Sequence, residues 1–467
     1  MTDDNQKLLR QLPSVDAILL RLKTVSGAEL ISPQIQSKIV RDTIEQARRS
    51  IIAGEYIFEG EVPDEITIKV ISEIENLSQP FYRKVVNAAG IVLHTGLGRA
   101  VLSQSAMQHL QSEISGYSLL QVSTDDGKRT SRDSQIEKLL QLLTGAEAAT
   151  IVNNNAAATA LVLNTIAEGK EVIVSRGQLV EIGGAFRLPD VMAFSGAKLV
   201  EVGTTNKTHL RDYENAITEN TAAILRVHPS NYKIVGFTSE VPLTEMVELA
   251  HSNGLVLFDD VGAGSLIDFS KYGFEKEPTL IESVQAGADI ITSSGDKLIG
   301  ASQAGIILGK ADIIKKVRKN QFARIVRTDK LTLAVLESTL RLFLNEQKAF
   351  QEVPTLRMML RSLDSIETQA NDIALKLRNR KLLCQIVLID GYSQTGSGSL
   401  PGQNLPTKLI SIACNAISGV VLANKLRHYK VPIFTRIQDE IVLFDPRTLL
   451  DGDDEIIIDA LTEILSS

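Results

Sequence analysis

Cysteine is nearly absent from this chain. The two present, Cys384 and Cys414, have no partner at metal-ligand spacing, so reduced, packed thiols are expected instead of a disulfide framework. Histidine is equally sparse: six are scattered with no His-x-x-x-His pair, which argues against a protein-bound catalytic metal. No apolar run approaches the ~18 residues of a membrane-spanning helix. The N-terminal stretch Met1-Thr-Asp-Asp-Asn-Gln6 carries acids where a secretory leader carries bases. A cytoplasmic protein is expected. Positive charge is also short, with 49 Lys and Arg against 56 Asp and Glu and a net charge of -7. That excludes broad electrostatic capture of nucleic acid, and leaves open recognition of one folded RNA through a local patch.

What is present suits a globular enzyme: 467 residues, 44% hydrophobic and 22% charged, enough for two or three domains. Residues 1–80 read as a separate helical module. Ser32-Pro33 opens a segment, Gln34 to Ala53, with Ile35, Ile39, Val40, Ile44, Ala47 and Ile51 near helical period. Residues 1–53 hold 8 Lys/Arg against 6 Asp/Glu, and residues 54–80 hold 1 against 7. A slightly basic module followed by an acidic connector results, either a binding accessory or a plain packing arm.

Over residues 81–335 candidate strands alternate with helical patterns. The strands are Thr150-Val152, Glu171-Ser175, Lys198-Val202, Ala222-Val227, Leu255-Asp260, Asp289-Thr292 and Gly305-Leu308. Ser134-Leu143, Ala156-Ala167 and Leu243-Ser252 are helical between them. Such alternation predicts an α/β domain with a mostly parallel sheet covered by helices. Residues 336–467 begin with a helix, Glu337 to Lys348, and continue as a smaller α+β domain with strands Lys408-Ala413, Ile433-Ile437 and Glu440-Phe444.

Two residues stand out within the large domain. Lys297 follows the apolar run Asp289-Thr292 and the turn Ser293-Ser-Gly295, at a strand C-terminus, where α/β sheets bind ligands. Asp260 ends another apolar run before Val261-Gly-Ala-Gly264, 37 residues earlier, about one strand–helix–strand unit. The spacing predicts both side chains over one sheet edge. A lysine that forms a Schiff base and an aspartate that keeps a pyridine nitrogen protonated are what pyridoxal 5'-phosphate requires. The lysine then serves as base at the substrate Cα.

Other residues fit around that pair. Asn154, Asn155 and Ala156 follow a strand and open a helix, offering free N–H groups to a phosphate or simply an N-cap. Ser294, three residues before the lysine, offers a further hydrogen bond to a phosphate. Asn231, in His228-Pro-Ser-Asn231, either meets the ring hydroxyl or belongs to a plain turn. Arg324 and Arg327 share one face if their stretch is helical, and such a pair suits a tetrahedral oxyanion. Arg99, in His94-Thr-Gly-Leu-Gly-Arg99, either joins them or caps a helix. Arg436 either holds a substrate α-carboxylate or lies on the surface.

These residues sit in motifs that resemble one family. Ser294-Gly-Asp-Lys-Leu298 with Gln303-Ala-Gly305, Val152-Asn-Asn-Asn-Ala-Ala-Ala158, Ser175-Arg-Gly-Gln-Leu-Val-Glu-Ile-Gly-Gly184, Phe186-Arg-Leu-Pro-Asp-Val191 and Glu201-Val-Gly-Thr-Thr-Asn206 are similar to bacterial selenocysteine synthases, the L-seryl-tRNA(Sec) selenium transferases. So are Arg327-Thr-Asp-Lys-Leu-Thr-Leu333, Gly396-Ser-Gly-Ser-Leu-Pro401 and Gln11-Leu-Pro-Ser-Val-Asp16. The resemblance implies a fold-type-I pyridoxal phosphate enzyme in which seryl-tRNA(Sec) loses its hydroxyl and selenium from selenophosphate adds to an aminoacrylyl group. Lys297 matches the Schiff-base lysine, and Arg99, Arg324 and Arg327 match the selenophosphate site. The N-terminal module matches the tRNA-binding part, and the family assembles as a ring of dimers, typically decameric.

The chain departs from the family at Gly96, where Asn is usual, at Ala301-Ser302, where Gly-Pro is usual, and at Thr130, where Gly is usual. All three lie in loops expected to border the site, and they bear on substrate and donor more than on the cofactor. The competing expectation is a related pyridoxal phosphate lyase acting on a small phosphorylated or hydroxylated amine, for which the N-terminal module would have no use.

Overall fold

The computed structural model describes residues 3–56, 60–184 and 186–466. Met1 and Thr2 of the acidic N-terminal stretch, and residues 57–59 of the acidic connector, lie outside the described residues. The chain divides into two compact units, Met1–Lys84 and Val85–Ser467.

The first unit is helical: α1 (Asp3–Arg10), α2 (Val15–Leu22), α3 (Pro33–Ala53) and α4 (Val62–Ser78). Local chemistry sets their ends. Ser14 and Ser32 accept hydrogen bonds from Ala17 and Ile35 backbone N–H groups as N-caps, Pro33 occupies the first turn, and Gly54 closes α3 in the left-handed conformation. The α3 stripe buries Ile39, Val40, Ile44, Ala47 and Ile51; four of these pack with Val62, Ile66, Val70 and Ile74 of α4 in one apolar core. Ile35, at the open end of the predicted stripe, stays exposed.

The second unit contains β1 (Val86–Asn87), β2 (Ala148–Val152), β3 (Glu171–Ser175), β4 (Glu181–Ile182), β5 (Phe186–Arg187), β6 (Lys198–Val202), β7 (Thr221–Val227), β8 (Val256–Gly262), β9 (Ile290–Ser294) and β10 (Gly305–Gly309). It continues with β11 (Cys384–Gln394), β12 (Asn404–Cys414), β13 (Ile433–Phe434), β14 (Arg436–Gln438) and β15 (Ile441–Phe444). The central sheet has the order β2-β10-β9-β8-β7-β3-β6. Only β10 runs against its neighbours, pairing antiparallel with both β2 and β9. Strands β2, β9 and β10 are buried along their whole length, as expected of a sheet covered on both faces. One apolar core lies on each face.

A four-stranded sheet, β11-β12-β15-β14, carries a third core closed by the helices Leu363–Asn379, Gly419–Arg427 and Asp453–Ser466. Here the structure differs from the expectations. The helix expected over Glu337 to Lys348 is two helices, Lys330–Leu342 and Glu346–Glu352. The Asn345 side chain accepts from the Lys348 N–H and starts the second as its N-cap. The strand expected over Ile433-Ile437 is split: β13 pairs in parallel with β1, more than 300 residues earlier, while β14 pairs with β15. Strand β11 has no counterpart among the expected elements, because Asp390-Gly391 at its middle reads as a turn. A Cβ on Gly391 would come within 2.5 Å of Leu409, so glycine there permits close strand packing.

Candidate active site

Strand β9 delivers Lys297. Past Ser294 the chain folds back on itself: Gly295 N–H donates to Ala304 O at 2.8 Å, Ala301 N–H to Gly295 O at 2.9 Å and Gly300 N–H to Lys297 O at 3.0 Å. Lys297 is 6% exposed. Burial drives its pKa down, and the Arg99 guanidinium adds to that; Asp296, Asp260 and Glu277 pull the other way. The amine is thus biased toward its nucleophilic, basic form.

Strand β8 delivers Asp260, which pairs in register with Val227 of β7 and with Thr292 of β9. The residue is 3% exposed, and both carboxylate oxygens accept hydrogen bonds. Asn155 Nδ2 donates to Oδ1 at 2.9 Å, the Thr159 hydroxyl to Oδ2 at 2.8 Å, and the Gly262 N–H to Oδ1 at 3.1 Å. Burial raises its pKa, and these donors oppose the rise. Asp260 and Lys297 therefore top adjacent parallel strands and act on each other's charge, as their spacing predicts.

The helix Asn155–Ala167 begins beside them. Asn154 is its N-cap, accepting from Ala157 N–H at 2.9 Å, so its side chain is committed while the first-turn N–H groups, that of Ala156 included, point out of the helix end. The chain crosses very closely here: a Cβ on Gly305 would sit 2.1 Å from Asn154 O. Ser294, opposite Gly305 in the β9–β10 pair, lies at the same place. Asn155 Oδ1 and Asn231 Oδ1 are buried and accept no hydrogen bond among the described residues. Asn231 Nδ2 donates to Glu181 O at 2.8 Å.

The arginines divide into three places. Arg99 bonds Asp296 at 2.7 Å, next to Lys297; it takes a left-handed backbone, φ 63°. Arg324 and Arg327 line a cavity of about 280 Å³ with Arg129 and Arg132. They do not share a helical face, because the helix is short, Phe322–Ile325, and Arg327 lies past it, bridged to Val152 of β2. Arg132 donates to Thr328 O at 2.6 Å and to Gln121 Oε1 at 2.9 Å. Its pKa is lowered by burial first and by Arg327 next. Arg129, Arg324 and Arg327 have no carboxylate partner among the described residues, leaving a concentrated positive charge suited to an oxyanion. Arg436 is elsewhere, donating to the fully buried Asp445 at 2.6 Å and to Tyr392 O at 2.8 Å.

Sequence reasoning did not single out Thr159, Asp296, Arg129 or Arg132. Thr159 carries a usable signal, being four residues and one helical turn after Asn155. The pairing of Asp296 with Arg99 carries none, because 197 residues separate them.

The sequence model of the family described as SelA: L-seryl-tRNA selenium transferase matches residues 85–450. The chain is 47% identical over 464 residues to the L-seryl-tRNA(Sec) selenium transferase of Alkaliphilus metalliredigens (strain QYMF), covering 98% of this chain and 99% of the relative. It is 46% identical over 462 residues to that of Clostridium perfringens (strain 13 / Type A), with the same coverage. Among solved structures it resembles D-glucosaminate-6-phosphate ammonia-lyase, with a TM-score of 0.57 and 22% identity, over 84% of this chain and 98% of that one. This last likeness speaks to the fold alone, a parallel α/β sheet of the fold-type-I kind expected from the sequence. By sequence, over nearly its whole length, the chain belongs to the L-seryl-tRNA selenium transferase family.

Proposed function

We propose that this protein converts L-seryl-tRNA(Sec) to L-selenocysteinyl-tRNA(Sec), with selenophosphate as selenium donor and pyridoxal 5'-phosphate as cofactor. In the net reaction the serine Cβ–O and selenophosphate P–Se bonds break, a Cβ–Se bond forms, and phosphate leaves with the oxygen. The observation that carries the reading is the pairing of a buried, pKa-lowered Lys297 with a buried, hydrogen-bonded Asp260 on adjacent strand ends.

The residues present fit the cofactor. Asn155 Oδ1 and Asn231 Oδ1 are buried oxygens in want of donors, and the first-turn N–H groups of the helix capped by Asn154 suit a phosphate. Bound there, pyridoxal phosphate supplies an electron sink for the pair released at the serine Cα. Lys297 would hold the cofactor and, once its Nζ is displaced by the substrate amine, would take the Cα proton. Asp260 keeps a negative charge against the ring nitrogen. The N–H groups of Asn154, Asn155 and Ala156 and the hydroxyl of Ser294 would hold the phosphate, and Asn231 would meet the ring hydroxyl. Arg324 and Arg327 bind the selenophosphate oxygens, with Arg99 near the reacting carbon. Arg436 is paired with Asp445, and an arginine so engaged suits a serine whose carboxyl is esterified better than one with a free α-carboxylate.

The helical unit, residues 1–84, grips the tRNA. The chain acts in the cytoplasm as a homo-oligomer, a ring of dimers and typically a decamer. Support comes from large apolar side chains left in solvent on the second unit, Tyr117, Leu119, Val235 and Phe237 among them. Among the described residues no helix is long and apolar enough to cross a membrane.

The test is incubation of the pyridoxal phosphate-loaded protein with seryl-tRNA(Sec) and selenophosphate, scoring selenocysteinyl-tRNA(Sec). Cofactor-loaded protein that leaves seryl-tRNA(Sec) unchanged would sink the reading.

A further inference from the structure

Strand β7 ends beside Asp260, and the residue that follows is a histidine. The His228 N–H donates to Asp260 O at 2.9 Å, which holds its backbone one position beyond the strand partner of Asp260. The His228 ring is mostly buried, and its Nε2 lies 2.8 Å from Glu277. Glu277 is 7% exposed, and the His228 ring is its hydrogen-bond partner among the described residues. Its neighbours are engaged elsewhere: Glu275 with Lys233 at 2.7 Å, and Lys276 with Asp268 and Glu282 at 2.8 and 2.5 Å. A carboxylate so deeply buried is costly unless its one hydrogen-bond partner stays in place. The imidazole and the carboxylate line a cavity of about 380 Å³ at the strand C-termini, with Lys207, Lys233, Glu240, Glu275 and Lys276 as its other charged groups.

We propose that His228 and Glu277 are positioning residues of the catalytic centre, forming a hydrogen-bonded dyad in which Glu277 fixes the imidazole of His228 in the turn whose backbone is bonded to Asp260. Three strands then contribute consecutive groups to one edge: His228 after β7, Asp260 on β8 and Lys297 after β9. Asn231, three residues on, spends its amide on Glu181 O, so His228 is the side chain of this turn whose orientation is set by a buried charge. That charge also reaches Lys297, where Glu277 favours the protonated amine against burial and Arg99. A purely structural dyad would stabilise the turn and leave the lysine-bound cofactor untouched.

The inference rests on the cofactor reading above, and one experiment separates the two. Purified holoenzyme, His228→Ala, His228→Gln and Glu277→Gln are compared by visible absorption of the lysine-bound cofactor, by its pH titration, and by cofactor retention in equilibrium dialysis. His228→Ala should shift the band and weaken retention about tenfold, the worth of one hydrogen bond, and His228→Gln should restore most of it. Glu277→Gln keeps shape and hydrogen-bonding capacity but removes the negative charge, so the pH midpoint of the band should fall. Unchanged band, midpoint and retention in the variants overturn the proposal; if His228→Ala does not fold, Glu277→Gln decides. A wild-type protein with no visible band would remove the cofactor reading itself.

Discussion

Arg99 Nη1 donates to Asp296 Oδ2 at 2.7 Å, tying the glycine-bearing loop near residue 95 to the residue immediately before Lys297. The pair places a positive charge where it lowers the proton affinity of the buried lysine, and a negative one that partly offsets it. Replacing Arg99 by Met removes the first effect and leaves Asp296 unpaired, and both changes push the Lys297 pKa up. The limb of the pH–rate profile that needs the unprotonated amine should move to higher pH. A limb at unchanged or lower pH would contradict this account of the site's charge.

Lys297→Ala should abolish the borohydride-reducible cofactor linkage and slow turnover by about 10²–10⁴-fold or more, the range for losing a positioned base. Mass spectrometry after reduction reads the first effect directly. A persisting adduct would move the covalent role to another residue.

Asp260→Asn retains the size of the side chain and can still bond Asn155 and Thr159, so folding should survive. It removes the charge that stabilises a protonated ring nitrogen. The cofactor should therefore remain attached to Lys297 while kcat falls by about 10²–10⁴-fold. Equal losses of cofactor and activity would mark the residue as structural.

Arg324→Ala with Arg327→Ala should raise KM for selenophosphate by about 10–100-fold, as expected for lost charge-assisted hydrogen bonds, with the cofactor band intact. Arg132→Ala should behave similarly, since it lines the same cavity and donates to Thr328 O beside Arg327. Unchanged donor dependence in the double variant would place selenophosphate elsewhere.

Gly305→Ala tests the strand crossing under the helix that starts at Asn155. The added Cβ would meet Asn154 O at 2.1 Å, a backbone atom that cannot swing away. Destabilisation of about 1–3 kcal/mol is expected, together with weaker cofactor retention. Thermal melting and dialysis measure the two, and an unperturbed Tm would show that the crossing relaxes freely.

The chain alone determined much of this architecture, because its information is local. Buried parallel strands are continuous apolar runs, so β3 ends where the sequence predicts; the edge strand β6 ends at its one buried residue, Val202, also as predicted. Helix ends carry their own caps, as at Ser32 and Gly54. The acid and the amine at 260 and 297 were legible for the same reason: each closes an apolar run, one βαβ unit apart. Tertiary structure alone decided which charges are already spent. Arg436 is paired with Asp445, and Arg99 is held by Asp296. Arg324 and Arg327 stay uncommitted beside Arg129 and Arg132. Side-chain pairing across hundreds of residues leaves no periodic trace in the sequence, because it depends on which loops the sheet order brings to one edge.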